Sequence, residues 1–169
     1  MKKRIYIGLF ALVLCFLLVG CGKTKEEKEN EKKRTDGTFD IICTKEKEEQ
    51  KTHSVEYVNT YYFNAEQVAN KYHGVVTQIY TDKNRYEEIK KALQETANSG
   101  DTDAGVVYKL EADDEKMSLV FTIDIEGYDK FVKTDEEKAK LKASEVLKDN
   151  EKDKNTKCVL KGISREDLK

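Results

Sequence analysis

The two histidines are the first candidates for metal chemistry, because imidazole is the commonest protein ligand of transition metals. His53 and His73 lie in segments whose residue pattern predicts two strands of one hairpin. In that register they stand about five positions apart, roughly 17 Å at the rise of a strand, and they point to opposite faces. One metal ion cannot bridge that distance, so we interpret both as surface imidazoles.

The segment Asp101-Thr102-Asp103-Ala104-Gly105 has the acidic start of a calcium-binding loop. Its spacing fails, because the glycine falls one position early and Ala112 stands where a bidentate Glu is needed. We therefore expect no metal site and no cofactor, with weak divalent-cation binding as the alternative at this segment or at Asp113-Asp114-Glu115. The chain also has no nucleophile elbow, phosphate-binding loop or dinucleotide fingerprint.

Nine tyrosines occur in the chain, and five of them concentrate in the first hairpin that the pattern predicts. An exposed row of phenol rings could stack on sugars or hold a peptide. Tyrosines are also good strand formers that lie half in a core, and this structural role is the commoner one. We keep both interpretations and treat the five as a candidate contact surface. They are Tyr57, Tyr61, Tyr62, Tyr72 and Tyr80.

Residues 1–20 have the pattern of an export signal. A basic head at residues 1–4 precedes an apolar run over residues 5–19, and a charged stretch begins at Lys23. The run is shorter than the ~20 apolar residues that a membrane-spanning helix needs. It therefore favours a secretory signal peptide.

The end of this run, Leu18-Val19-Gly20-Cys21, resembles the lipobox of bacterial lipoproteins. The resemblance implies that the Cys21 sulfur is joined to diacylglycerol and that the signal is cut before Cys21. One acyl chain binds a bilayer only marginally, at about 0.8 kcal/mol per buried CH₂, whereas two chains hold it firmly. We expect a protein anchored by lipid on the extracytoplasmic face of the cell membrane. The alternative is an uncleaved N-terminal anchor.

Export determines what the other thiols can do. Of the four cysteines, Cys15 leaves with the signal and Cys21 carries lipid, so that Cys43 and Cys158 remain. Disulfides form and persist outside the cytosol, and we expect these two to pair and join the two ends of the domain. Two free buried thiols are the alternative. A redox-catalytic role is disfavoured because no Cys-x-x-Cys pair is present.

Charged residues make up 38% of the chain, yet its formal net charge is only −2. This balance lacks the basic excess of nucleic-acid-binding proteins, so we expect no nucleic-acid partner. Residues 22–34 are almost entirely Lys and Glu and contain no apolar side chain. Such a stretch cannot bury surface to offset backbone ordering. We therefore predict a stalk over residues 21–37 that begins at the lipidated Cys21 and is disordered or, as the alternative, transiently helical.

A long β-hairpin is predicted where β-branched and aromatic residues concentrate, at residues 52–63 and 68–80. Pairing outward from the four-residue loop between them sets Tyr57 opposite Gly74, where an aromatic ring can cover bare backbone. A second hairpin joins residues 106–111 to residues 117–125.

In the second hairpin, apolar and polar residues alternate along both strands. Pairing outward from its turn sets Leu110 opposite Leu119 and Tyr108 opposite Phe121. Every apolar residue then lies on one face, as a half-buried antiparallel sheet requires.

Two helices are predicted. Asn84 and Glu87 have the spacing of a capping box and open a helix over residues 84–98, whose apolar residues fall on one stripe. A second capping-box spacing opens a helix over residues 134–148. Its apolar stripe is small, so we expect this helix to pack weakly or to lie on the surface.

Together these elements predict one α+β domain over residues 38–163. Its antiparallel sheet consists of the two hairpins and terminal strands near residues 39–44 and 157–160, and one face packs against the helix at residues 84–98. Residues 164–169 are expected to form a C-terminal tail.

The order of these features resembles the YehR-like small bacterial lipoproteins. Signal, lipobox and Lys/Glu stalk are followed by a long hairpin, a capped helix and a second hairpin that ends in an acidic segment, here Val120-Phe121-Thr122-Ile123-Asp124-Ile125-Glu126. The resemblance covers about residues 38–130. It implies an α+β fold and an envelope location, and it implies no reaction and no functional residue besides Cys21.

We therefore expect a non-enzymatic binding or interaction module at the cell envelope, for a ligand that the sequence does not specify. The expected partners are the membrane, through the lipid on Cys21, and a cell-wall component or protein. The alternative is an envelope enzyme acting on a cell-wall or periplasmic substrate. Such an enzyme needs a pocket with convergent polar groups and a shifted carboxylate or tyrosine.

Overall fold

The fold was analysed in a computed structural model, which describes residues 32–100, 105–132 and 134–169. The strands are β1 (Phe39–Glu49), β2 (His53–Phe63), β3 (Ala69–Tyr80), β4 (Val106–Asp113), β5 (Ser118–Glu126) and β6 (Thr156–Lys161). The α-helices are α1 (Lys83–Asn98), α2 (Asp135–Lys140) and α3 (Ala143–Glu151). Short 3-10 turns lie at Tyr128–Lys130 and Arg165–Asp167. Within these ranges, no helix combines the length and the apolar character needed to cross a membrane.

Several predicted features lie outside the described residues. These are the signal peptide at residues 1–20, the lipobox with Cys21, the stalk up to residue 31, and residues 101–104 of the acidic segment.

All six strands form one antiparallel sheet in the order β4-β5-β3-β2-β1-β6, which confirms the predicted α+β class. Helices α1 and α3 pack on the same side of this sheet. We call that side the covered face; it includes Ile41 and Leu119. The opposite side, the open face, includes Ile42 and Val58.

Both predicted hairpins form, but each pairs two residues away from its predicted register. Tyr57 lies opposite Val76, and Leu110 lies opposite Phe121. In the first hairpin an irregularity between Tyr62 and Phe63 moves the pairing. A shift of two residues keeps the alternation of side chains, so the apolar residues remain on the predicted face.

Gly74 is covered by an aromatic ring, although not by the predicted one. Asn59 rather than Tyr57 lies opposite Gly74. The ring of Tyr72, two residues earlier on the same strand, occupies the space that a Cβ on Gly74 would need. Glycine is therefore required here for the close approach of this ring.

Helix α1 begins one residue before the predicted start, and its cap differs. The carboxylate of Asp82 accepts a hydrogen bond of 2.8 Å from the backbone N–H of Arg85. The predicted capping box at Asn84 and Glu87 was therefore wrong, since Asn84 already lies inside the helix. An aspartate at this position satisfies one of the free N–H groups of the first turn.

The turn between β4 and β5 holds α1 through Asp114. The hydroxyl of Tyr86 donates to this carboxylate at 2.5 Å, and the ammonium of Lys90 donates at 2.6 Å. Lys90 and Tyr86 lower the pKa of Asp114 below its ordinary value. Tyr86 is 1% exposed and packs beside Tyr80 and Leu119.

The structure differs from expectation over residues 134–148. The Thr134 capping box is present, but the helix it opens ends at Lys140, and α3 begins separately at Ala143. Between them, the Leu141 carbonyl accepts from the Ala69 N–H at 2.9 Å. This segment is not weakly packed, because four of its side chains lie in the main core. They are Leu141, Ala143, Val146 and Leu147.

Cys43 and Cys158 form a disulfide, as predicted. They lie directly opposite each other on β1 and β6, with their Cα atoms 4.1 Å apart. Cys43 is fully buried in the main core. The bond therefore joins the first and last strands inside the sheet.

Residues near both ends of the described chain bond to the end of the sheet at which β1 begins. The Arg34 guanidinium pairs with Asp40 at 2.6 Å, and its backbone N–H donates to the Gly162 carbonyl. The backbone N–H of Lys169 donates to the Gln67 side chain at 2.7 Å.

The two faces can be tested with neighbouring isoleucines on β1. Ile41 is completely buried on the covered face, whereas Ile42 is partly exposed on the open face. We expect Ile41→Ala to lower the free energy of unfolding by about 2–5 kcal/mol, and Ile42→Ala to lower it by less than half as much. Urea denaturation measures both, and equal losses would contradict the assignment of faces.

The disulfide closes a loop with a sequence separation of 115 residues. By the chain-entropy model, a crosslink of this length stabilises the fold by about 4–5 kcal/mol. We expect dithiothreitol to lower the free energy of unfolding by an amount in that range. The Cys43→Ala/Cys158→Ala variant is the control, and its free energy of unfolding should not change with the reductant. If the reductant also leaves the free energy of unfolding of the wild-type protein unchanged, the result argues against the crosslink.

Candidate functional site

The five candidate tyrosines do not share one surface. Tyr57, Tyr61, Tyr72 and Tyr80 lie on the covered face, and Tyr62 lies on the open face. Tyr80 is only 3% exposed and packs against α1. The Lys71 ammonium lies 5.7 Å from the centre of the Tyr62 ring. The set is therefore divided between core and surface.

Tyr61 and Tyr72 instead pack with a tyrosine that the sequence did not single out. The Tyr72 ring lies 5.2 Å from that of Tyr61 and 5.7 Å from that of Tyr128, between ring centres. We call these three the tyrosine cluster. Tyr61 and Tyr128 both pack against the main core, so the cluster extends the core across the middle of the covered face.

Hydroxyls of the cluster are used within the protein. The Tyr72 hydroxyl donates to the Asn59 side chain at 2.8 Å, and the Asn150 amide donates to the Tyr61 hydroxyl at 3.4 Å. Burial raises the pKa of all three phenols above the ordinary value. Buried phenols that hydrogen-bond to amide side chains hold strands and helices in place. These tyrosines therefore have the structural role rather than the role of a contact surface.

The histidines point to opposite faces, as predicted, although each is paired two residues away from the expected position. His53 stacks on Tyr80 with ring centres 5.2 Å apart. On the open face, the His73 Nδ1 lies 2.6 Å from a carboxylate oxygen of Asp124. Among the residues that the structure describes, no three His, Cys, Asp or Glu side chains are grouped in a way that could hold a metal ion.

A cavity of about 360 Å³ opens where α2 meets the start of β3. Apolar atoms from Val68, Ala139 and Leu141 line it. Its volume falls at the lower end of the roughly 300–1,000 Å³ that is typical of small-molecule sites.

Four charged side chains also line this cavity, and they come from two sides. Asp129 belongs to the 3-10 turn, and Asp135, Lys138 and Lys142 belong to the segment of α2 and the residues just after it. We call these four the charged rim. None of them forms an ion pair with any residue in the described ranges. Within the part of the chain that the structure describes, the rim therefore carries two ammonium groups and two carboxylates without an ion-pair partner.

Backbone hydrogen bonds fix the floor of the cavity. The Ala69 N–H donates to the Leu141 carbonyl at 2.9 Å, and the Ala143 N–H donates to the Gln67 carbonyl at 3.0 Å. These two bonds connect the junction of α2 and α3 to the start of β3. A floor held by backbone is formed before any ligand arrives.

The turn that carries Asp129 is positioned from the other side. Gly127 begins it with a φ of 65°, a left-handed conformation that favours glycine. The following residue, Tyr128, packs on Tyr72. The tyrosine cluster therefore helps to place one wall of the cavity.

Sequence reasoning missed this cavity. Asp135, Lys138, Ala139 and Lys142 follow the spacing i, i+3, i+4, i+7 of one helical face. A charged face on a short helix is usually solvated, and the opposite wall is more distant in the sequence. The helical spacing can be read from the sequence, but the residues that form the opposite wall of the cavity cannot.

Comparisons of the chain with family models, with curated proteins and with solved structures find no match in any of the three.

Ionisation of the tyrosine cluster should limit stability at high pH. Because the folded state raises the pKa of Tyr61, Tyr72 and Tyr128, it binds their protons more tightly than the unfolded chain does. Stability is then fully present below the ordinary tyrosine pKa of about 10 and falls as the pH rises above it. We expect Tyr72→Phe to make this alkaline decline shallower.

Absorbance titration of phenolate and urea unfolding from pH 8 upward measure both effects. The matched control is the same pair of proteins in denaturant, where all phenols should titrate near the ordinary value. If the unfolding free energy of the wild-type protein stays constant over the pH range in which tyrosines ionise, the fold does not protect these phenols from ionisation.

Proposed function

We propose that this chain is the precursor of a lipid-anchored lipoprotein whose folded domain is a non-enzymatic binding module on the extracytoplasmic face of the cell membrane. The observation that carries the proposal is the tetrapeptide Leu18-Val19-Gly20-Cys21 after a basic head and an apolar run. A nucleophilic thiol preceded by small residues is what lipid transfer and signal cleavage need. Membership of the YehR-like lipoproteins stays a prediction.

The disulfide supports an extracytoplasmic domain. Thiols that lie as close as Cys43 and Cys158 are kept reduced in most cytosols, whereas disulfides persist in exported proteins. Their pairing also leaves Cys21 as the one thiol downstream of the signal for lipid attachment. The cysteine usage of the chain is thus consistent with export, anchoring and one structural crosslink.

The way the domain begins supports a short tether. Arg34 is bonded to Asp40 and to the Gly162 carbonyl, so the chain joins the domain at a fixed point. From Cys21 to Arg34, a fully extended chain spans at most about 45 Å. Under this proposal Arg34, where the chain joins the domain, lies within that distance of the bilayer.

A binding role for the domain is supported by the cavity between α2 and β3. It combines an apolar floor fixed by backbone hydrogen bonds with the charged rim. Small-molecule sites generally have this composition, a mostly apolar concavity with a few polar groups that orient the ligand.

The anchoring can be tested by expressing the full chain in a bacterium and measuring the mass of the mature protein. We expect a polypeptide that begins at Cys21 and carries a diacylglycerol group, found in the membrane fraction and labelled by palmitate. Cys21→Ser should abolish the lipid and the cleavage.

The matched control is Cys15→Ser, which changes a thiol in the apolar run and should leave mass and location unchanged. An unacylated wild-type protein that retains Met1 would disprove the proposal.

A further inference from the structure

We infer that the cavity between α2 and β3 binds a short peptide or amino acid that carries an aliphatic side chain and both a free amino and a free carboxyl group. This inference rests on the proposed binding role of the domain, and it adds the site and the chemical class of the ligand. It combines three properties of the cavity: its size, its apolar floor and its charged rim.

The size restricts the ligand. A cavity of about 360 Å³ that is open to solvent accommodates a molecule of amino-acid or dipeptide size. The floor is aliphatic, since it is formed by Val68, Ala139 and Leu141. A ligand that removes this floor from water gains roughly 25 cal/mol per Å2 of apolar surface, which favours an aliphatic over a polar side chain.

The charges determine what else the ligand must carry. The residues that line this space include two acids, Asp129 and Asp135, and two lysines, Lys138 and Lys142. A simple anion would meet the carboxylates, and a simple cation would meet the lysines. A ligand with both charges can place an ammonium toward Asp129 or Asp135 and a carboxylate toward Lys138 or Lys142. Charge complementarity therefore selects a zwitterion.

The rim is available for such contacts. Some exposed lysines elsewhere on the domain are used in ion pairs, such as Lys148 with Glu145 and Lys152 with Asp149. Lys138 and Lys142 have no such partner among the described residues, so a ligand does not have to break an existing pair.

The probe for the experiment is L-alanyl-L-leucine, added to the mature full chain in detergent and followed by backbone amide NMR. We expect saturable shifts at Val68, Ala139 and Leu141. N-acetyl-alanyl-leucine, which lacks the ammonium, and alanyl-leucine amide, which lacks the carboxylate, should each bind about two- to fivefold more weakly, as expected for partly exposed charge pairs.

Variants separate the two halves of the rim. Asp129→Asn/Asp135→Asn should remove the advantage of the free amino group and keep that of the carboxylate. Lys138→Gln/Lys142→Gln should do the reverse. The matched controls are Glu145→Gln/Asp149→Asn and Lys148→Gln/Lys152→Gln, which change the net charge by the same amounts at α3 and should leave all three affinities unchanged. Because these are changes of selectivity, partial unfolding of a variant cannot imitate them.

Equal binding of the free and capped peptides would overturn the inference, as would preference for the carboxylate alone, which indicates an anion site. Shifts at other residues, or no saturation at tens of millimolar peptide, would also overturn it. The lipid on Cys21 is measured in the same preparation. If the protein is lipidated but does not bind the peptide, only this inference is contradicted. If the protein is not lipidated, the proposed anchoring is contradicted, whether or not the peptide binds.

Discussion

Strand β1 has two neighbours, and the rest of the domain depends on both pairings. On one side it pairs with β2, which follows it directly, and on the other with β6, from the end of the chain. Its covered-face side chains, Phe39, Ile41 and Cys43, are almost completely buried. The main core therefore exists only once β6 has reached β1, and that contact spans most of the sequence.

The second core is more local. Tyr80, Tyr86 and Leu119 are buried together under α1, in a segment that runs from β3 to β5. The tyrosine cluster lies on the same face and packs against the main core. Phenols suit this position because their rings add apolar area while their hydroxyls reach amides such as that of Asn59. The concentration of tyrosines in the first hairpin is thus explained by the structure rather than by a single exposed row.

Most of the fold could be predicted because alternation of apolar residues reports the face of a strand directly. The registers could not, since the turns depend on local details such as the irregularity at Tyr62 and the positive φ of Met117. The break between α2 and α3 also escaped prediction, because backbone bonds from Gln67 and Ala69 cause it. The cavity was missed for the same reason. Its walls, at Val68, Asp129 and residues 135–142, meet only in the folded chain.

The disulfide also has a topological consequence. Cys43 and Cys158 close a covalent ring that contains β2 to β5 and all three helices. A protease that cuts once inside this ring, for example in the exposed turn at Gln50 and Lys51, leaves both fragments joined through sulfur. Such a nicked molecule keeps every strand in the same covalent assembly, and a segment attached before Cys43 stays connected to the whole of it.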